Sequence, residues 1–102
     1  MIDLDLKSYS DLYLKNAQEE LRLIRSLISR DVVDIKTIHR ICHSLKGQSF
    51  FMGFNDIGLK ALELEIYYRQ LLENNQDQSK KTNVEEILSE IERLLINKIN
   101  VK

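Results

Sequence analysis

Residues 38–54 read IHRICHSLKGQSFFMGF, and this stretch predicts the fold more directly than any other part of the chain. On a helix at ~100° per residue, with His43 at zero, its aliphatic residues cluster within roughly 40° of the opposite side. Those residues are Ile38, Ile41, Leu45 and Met52. A second set falls within about 60° of His43 by the same rotation. That set contains His39, Arg40, Lys46, Gly47, Phe50 and Phe54. The stretch therefore predicts an amphipathic helix that buries one aliphatic face and presents His43 to solvent.

Gly47 is an unusual residue on the solvent-facing side of such a helix. In a helix interior glycine costs roughly 0.5–1 kcal/mol relative to alanine. Gly47 also lies one turn beyond His43 on the same face. A sequence that accepts this cost beside an exposed histidine indicates that access to His43 matters. The alternative, that Gly47 relieves crowding between helices, stays open at this point.

The composition predicts one small helical domain. The 102 residues, 1–102, are just enough for a single core, and they include no proline and only three glycines. A net charge of −1 gives no indication of nucleic acid as a partner. No apolar run approaches the ~20 residues of a membrane span, and the first residues lack the apolar segment of a signal peptide. The single cysteine, Cys42, fits a reducing cytosol and a place in the core, so we expect a cytoplasmic protein.

Helical periodicity outside the central stretch predicts an all-α fold, an antiparallel four-helix bundle with a short N-terminal arm or helix. The first long helix is expected to begin at Ser8 or Ser10 and to end near Arg30. The second is expected to be capped by Asp34 and to stop at Gly53, since glycine readily takes the left-handed conformation that ends helices.

Two further helices complete the predicted bundle. The third is expected to be capped by Asn55 or Asp56, and it is followed by a polar loop over residues 74–81. The fourth is expected to start at a capping box that begins at Thr82 or Asn83. A small bundle of this kind is expected to be a monomer.

The central stretch resembles the signature of the histidine-containing phosphotransfer (HPt) domain. That signature is H-x-L-K-G followed by a small residue, an apolar residue and a glycine, and this chain has HSLKG from His43. The later positions are filled by Ser49, Met52 and Gly53 and, where the family often has a leucine–glutamate pair, by Leu64 and Glu65. The sequence HSLKG…MGF is also similar to that of the phosphotransfer domain of chemotaxis kinases. The local resemblance covers residues 38–65, and the four-helix prediction extends it over most of the chain.

The resemblance implies a phosphocarrier rather than an enzyme. Members of that family accept a phosphoryl group on an exposed histidine and exchange it with an aspartate of a response-regulator receiver domain, with a sensor or hybrid histidine kinase as a further partner. Here His43 would be the phosphoacceptor, Lys46 would offset the phosphoryl charge and Gly47 would admit the partner. Glu65 would orient the imidazole, although a glutamate paired with a nearby cation is an equal alternative. No cofactor is expected on this chain, because Mg²⁺ and the acidic pocket belong to the partner.

Contacts with the partner are expected around His43. The residues predicted for this role are His39, Arg40, Gln48, Phe50 and Phe54. Phe50 and Phe51 depart from the small residues that the family usually has after its signature. Phe50 is nearly in line with His43, so it either anchors the receiver domain or folds over the site.

Two other functions were weighed against phosphotransfer. His39 and His43 are four residues apart, as zinc ligands on a helix can be, but Arg40 stands where the zinc-protease pattern requires glutamate. Cys42 lies roughly 100° away on the helix, so we expect no metal site.

The second hypothesis is a helical docking module that binds a receiver or kinase domain without being phosphorylated. The sequence contains all three of His43, Lys46 and Gly47. Their joint presence favours phosphotransfer, because docking alone does not need them.

Overall fold

The computed structural model describes residues 6–74 and 84–100, which form four helices and, within those ranges, no strand. The helices are α1 (Leu6–Ile28), α2 (Ile35–Phe51), α3 (Asn55–Asn74) and α4 (Val84–Asn100). They form an antiparallel four-helix bundle, in which α1 and α3 each contact both α2 and α4. No helix of the described part is long and apolar enough to cross a membrane. The predicted fold class is confirmed.

Aliphatic residues at helical spacing meet along the axis of the bundle. The large aliphatic side chains that are almost completely buried are Leu21, Ile24, Ile38, Leu45, Ile57, Leu64, Leu88, Ile91 and Leu95. Each such side chain contributes about 1.5–3 kcal/mol through burial. Cys42 is also fully buried, as predicted, and burial raises the pKa of its thiol to about 12. The core therefore draws on all four helices and holds α2 with its histidine face outward.

The ends of α2 follow from two residues identified in the sequence. Asp34 caps the first turn, because its side chain accepts a hydrogen bond from the backbone N–H of Thr37 at 3.1 Å. At the other end Gly53 has φ +83, and the N–H of Phe54 donates to the carbonyl of Ser49 at 2.9 Å. These are the features of a Schellman motif, which ends a helix and turns the chain sharply. The turn sends α3 back along α2.

Two predicted helix ends were wrong by a few residues. α1 begins at Leu6, so Ser8 and Ser10 lie inside the helix instead of capping it. Serine caps a helix only where the chain enters from a non-helical conformation, and the sequence pattern did not reveal that point. α1 ends at Ile28, whereas the prediction placed its end near Arg30.

Some predictions fall outside the residues that the structure describes. Among them are residues 1–5 of the predicted arm, most of the predicted loop over residues 74–81, and the capping residues Thr82 and Asn83. α3 begins at Asn55, so Asn55 and Asp56 lie inside the helix instead of capping it, and the carbonyl of Phe54 accepts a hydrogen bond from the N–H of Gly58 at 3.0 Å.

Candidate functional site

The antiparallel pairing of α2 and α3 brings His43 beside Glu65. Nδ1 of His43 lies 2.6 Å from Oε2 of Glu65. The glutamate side chain is only 3% exposed, whereas the histidine side chain is 65% exposed. Because an ionised carboxylate can only accept hydrogen bonds, Nδ1 carries the hydrogen and Nε2 keeps its lone pair. The pair therefore fixes one tautomer of an exposed imidazole.

Glu65 is a buried carboxylate surrounded by basic groups. Nζ of Lys46 lies 2.7 Å from Oε1, while a guanidinium nitrogen of Arg69 lies 3.8 Å from Oε2. Nε2 of His39 lies 4.0 Å from the same Oε2. Burial alone would raise the pKa of Glu65, but the hydrogen bonds from Lys46 and His43 and their charges outweigh it, and the pKa lies below its ordinary value. Glu65 is therefore ionised in the state in which it orients His43.

Lys46 contacts Glu65 directly in this structure. Its side chain is 23% exposed, and its ammonium group pairs with the carboxylate. The helical wheel placed Lys46 on the same face as His43 but could not show that Glu65 joins both residues. Both alternatives weighed for Glu65, an imidazole partner and a cation partner, therefore occur in one carboxylate.

Gly47 borders open space. A Cβ atom built on Gly47 would have no atom within 4 Å, apart from its neighbours in the chain and the backbone of its own helix. No neighbouring helix crowds this position, so the crowding alternative does not account for the glycine. The surface beside His43 is consequently open to a partner.

Phe50 packs against Gly58, a glycine near the start of α3. A Cβ atom on Gly58 would lie 2.8–2.9 Å from three atoms of the Phe50 ring, too close for ordinary packing. Gly58 thus lets the ring lie flat on α3, and Phe50 remains 38% exposed. The signal in the sequence was a glycine in the first turns of a predicted helix, but its partner became evident only from the tertiary fold.

Phe54 is not on the histidine face, and its predicted position was wrong. α2 ends at Phe51, so the helical rotation that placed Phe54 near His43 does not extend that far. The Phe54 ring instead packs on Tyr13, with 5.2 Å between ring centroids, and Nζ of Lys98 lies 5.2 Å from the Phe54 ring centroid. Phe54 therefore closes the end of the bundle.

The other predicted contact residues lie around His43 with different exposure. Arg40 is exposed, while Gln48 is partly buried and donates a hydrogen bond to the hydroxyl of Ser44 at 2.8 Å. His39 is 25% exposed. Ser49, at the small-residue position of the signature, is fully buried and hydrogen-bonds both the Tyr13 hydroxyl and the Leu45 carbonyl. Ser49 thus joins α1 to α2 and has a packing role.

An open apolar groove runs from Gly47 along the seam between α1 and α2. Its exposed apolar residues are Tyr9 and Leu12 of α1 and Phe51 of α2, which is 89% exposed. The sequence reading named Phe51 only as a departure from the family and did not include the two α1 residues. Their proximity depends on how α1 packs against α2, which the pattern along a single helix does not report.

The described residues contain no group of three or more histidine, cysteine, aspartate or glutamate side chains placed to hold a metal ion. The site is therefore built from one exposed imidazole, one buried carboxylate and nearby cations. Such a site can present a nucleophilic nitrogen and neutralise part of an incoming negative charge.

A family model for the Hpt domain matches residues 8–97, so the chain belongs to the Hpt domain family. The family identified from HSLKG is thereby confirmed. The family has a histidine phosphotransfer role in phosphorelays, and its domains are phosphocarriers that interact with kinases and response regulators. Comparisons with curated proteins and with solved structures gave no significant match.

Proposed function

We propose that this protein accepts a phosphoryl group on Nε2 of His43 and exchanges it with the aspartate of a response-regulator receiver domain. One observation carries the proposal. Oε2 of Glu65 lies 2.6 Å from Nδ1 of His43, and the His43 side chain is 65% exposed. Nε2 is therefore the ring nitrogen left to react. A neutral imidazole in this tautomer is a competent nucleophile.

This protein and the receiver domain together supply every group that the reaction needs. The lone pair of Nε2 attacks the phosphorus of the receiver's aspartyl phosphate, and an N–P bond forms as the P–O bond to the aspartate breaks. The aspartate leaves as a carboxylate. The hydrogen stays on Nδ1 of His43 and remains hydrogen-bonded to Glu65. Because attack draws electron density from the ring, the negative charge of Glu65 stabilises the positive charge that develops there. The reverse sequence of the same steps returns the phosphoryl group.

Lys46 is the cation placed to offset the phosphoryl charge. It lies one turn after His43 on α2, and it already pairs with Glu65 at 2.7 Å. We expect its ammonium group to be shared between Glu65 and the phosphoryl oxygens once His43 is modified. The Mg²⁺ ion and the acidic pocket are assigned to the receiver domain.

The surface around His43 suits a partner that presents both acidic and apolar groups. Arg40 is an exposed cation on one side of the histidine, and the groove that contains Leu12 and Phe51 lies beyond Gly47 on the other. Exposed aromatic and arginine side chains are common anchors at interfaces. We therefore assign receiver docking to this face, with Phe50 as a contact, and place the protein in the cytoplasm as a monomeric single domain.

The test is intact-mass spectrometry after incubation with a phosphorylated receiver domain and Mg²⁺. The wild type is expected to gain one acid-labile phosphoryl group and the His43→Gln variant none, with unchanged thermal unfolding because the position is exposed. His39→Gln is the matched control, since it removes a histidine one turn away and should still be labelled.

Equal labelling of His43→Gln would overturn the site assignment. Absence of labelling in the wild type with several donors, together with measurable receiver binding, would instead favour the docking module that is not phosphorylated.

A further inference from the structure

We infer that His39 is a second imidazole that shares the carboxylate of Glu65 with His43, and that protonation of His39 lowers the reactivity of His43. The sharing of the carboxylate is a property of the unmodified protein. Only its consequence for phosphoryl transfer rests on the proposed function. His39 would act as a positioning residue, because it reaches the reacting nitrogen only through Glu65.

The geometry places His39 one turn before His43, beside the same carboxylate oxygen. Nε2 of His39 is buried and has no hydrogen-bond partner among the described residues, although the side chain as a whole is 25% exposed. It lies 4.0 Å from Oε2 of Glu65, the oxygen that accepts from His43 at 2.6 Å. A separation of 4.0 Å is too long for a hydrogen bond, so the two groups are close but not joined. A buried polar atom without a partner carries a free-energy cost that bond formation would remove.

Among the charged and titratable groups around His39, Glu65 is the one that can accept a hydrogen bond from it. From α3, Glu65 and Arg69 lie beside it, and the guanidinium of Arg69 is 3.8 Å from the same Oε2. From α2, the ammonium nitrogen of Lys46 lies 2.7 Å from the other oxygen, Oε1, and burial keeps Cys42 a neutral thiol by raising its pKa to about 12.

Glu20 is a titratable group that α1 brings near this part of α2, beside Ser44, and its burial raises the pKa of its carboxyl. Ser44 lies about 140° from His39 around α2, so Glu20 faces a different flank of the helix. A proton on His39 is therefore placed to interact with the oxygen that His43 uses.

The consequence follows from the sharing of one negative charge. When both of its ring nitrogens carry a hydrogen, His39 is a cation whose Nε2–H can donate to Oε2, and a small side-chain rotation can close the gap to hydrogen-bond length. Oε2 then accepts from two imidazoles, so its hold on Nδ1–H of His43 weakens. The tautomer is less firmly fixed and Nε2 becomes a poorer nucleophile. The ring nitrogens of His43 should therefore report the protonation of His39 as well as their own.

The first experiment is an NMR titration of the full ¹⁵N-labelled chain over about pH 5 to 8, the range in which histidines change charge. The ring nitrogen shifts of His43 are expected to follow a two-step curve in the wild type and a one-step curve in His39→Gln. Lys36→Gln is the matched control, because it removes an exposed cation from the same helix and should keep the two-step curve. A one-step curve for His43 in the wild type overturns the inference without the use of any variant.

The second experiment measures phosphorylation by phosphoramidate, a small donor that needs no docking surface. Nε2 attacks phosphorus, the P–N bond of the donor breaks and ammonia leaves. The wild-type rate is expected to fall several-fold more steeply than the His39→Gln rate as the pH is lowered across the same range. Parallel pH profiles would refute the effect on reactivity. A chain that is never phosphorylated but shows the two-step titration would refute the proposed function and leave the shared carboxylate intact.

Discussion

The ion network between α1 and α4 and the one between α2 and α3 have opposite proportions of charge. Between α1 and α4, Arg25 donates to both carboxylate oxygens of Glu92 at 2.8 and 2.9 Å and to Glu85 at 2.5 Å. Between α2 and α3, the single carboxylate of Glu65 meets His43 and three other basic groups. One network thus has one cation and several acceptors, while the other has one acceptor and several cations.

The difference distinguishes a network whose cation is fully engaged from one that contains an exposed imidazole. The Arg25 guanidinium is engaged by two carboxylates, and the hydrogen bonds to them raise its pKa, so it stays charged. Glu65 has more bases around it than it can satisfy equally, and the most exposed of them, His43, keeps a nitrogen with a lone pair. Under the proposed function, this exposed nitrogen is the atom of the α2–α3 network that takes up the phosphoryl group.

The largest expected effect separates these two networks directly. Glu65→Gln should slow phosphorylation of His43 by roughly 10- to 100-fold, the range seen when a group that orients a functional imidazole is removed. An amide can present either an oxygen or an N–H to Nδ1, so the tautomer is no longer fixed and no negative charge supports the ring. The measurement is the initial rate of phosphorylation by phosphoramidate, which isolates the chemistry from docking.

Arg25→Gln is the control for that comparison. It should lower the free energy of unfolding by about 1 kcal/mol, as the loss of a partly exposed ion pair does, and leave the phosphorylation rate unchanged. Equal rate losses in the two variants would show that general loosening of the bundle, and not Glu65, governs the rate.

The next effect in size tests the apolar part of the α2–α3 contact. Gly58→Ala should lower the free energy of unfolding by about 1–2 kcal/mol, because the new Cβ would overlap the Phe50 ring and the ring must move. Chemical denaturation measures the change. In a Phe50→Ala background the same substitution should be neutral or stabilising, since alanine favours a helix more than glycine does. An equal loss in both backgrounds would exclude the ring as the cause.

The same contacts show how much of the site could be predicted from the sequence. The resemblance to the HPt signature identified Glu65 as the partner of His43, and the predicted turn at Gly53 placed the two residues on consecutive helices. The partners of Arg25 lie on α4, and spacing within α1 could not indicate them.

The remaining errors have the same physical origin. The wrong position of Phe54 came from extending a helical rotation past the residue at which the helix ends. The contact between Phe50 and Gly58 depends on how closely two backbones approach, and hydrophobic periodicity does not carry that information. The resemblance to the HPt signature therefore pointed to His43 and Glu65, while the shape of the surface around them required the packed structure.

A further effect, on acid stability, concerns the protonation of Glu65. Its pKa in the folded state lies below its ordinary value, so its contribution to stability is present above the unfolded pKa of ~4.3 and is lost as the pH falls through the folded pKa. The wild type should therefore be more stable than Glu65→Gln at neutral pH, and the difference should shrink as the solution is acidified below ~4.3. Urea midpoints measured at several pH values provide the test. A difference that stays constant with pH would contradict an ionised, paired Glu65.

The smallest expected effect concerns Gly47, which contrasts with Gly58 because open space surrounds it. Gly47→Ala should raise the free energy of unfolding by about 0.5–1 kcal/mol, since the helix gains propensity without a clash. Phosphorylation by phosphoramidate should be unchanged, whereas transfer from a phosphorylated receiver should slow several-fold, because the added methyl group stands where the partner must approach His43. Thermal unfolding and the two phosphorylation rates measure these outcomes separately. Normal receiver transfer in a stabilised Gly47→Ala variant would show that access to His43 does not depend on this glycine, and the docking face would then have to lie on the Arg40 side of the histidine.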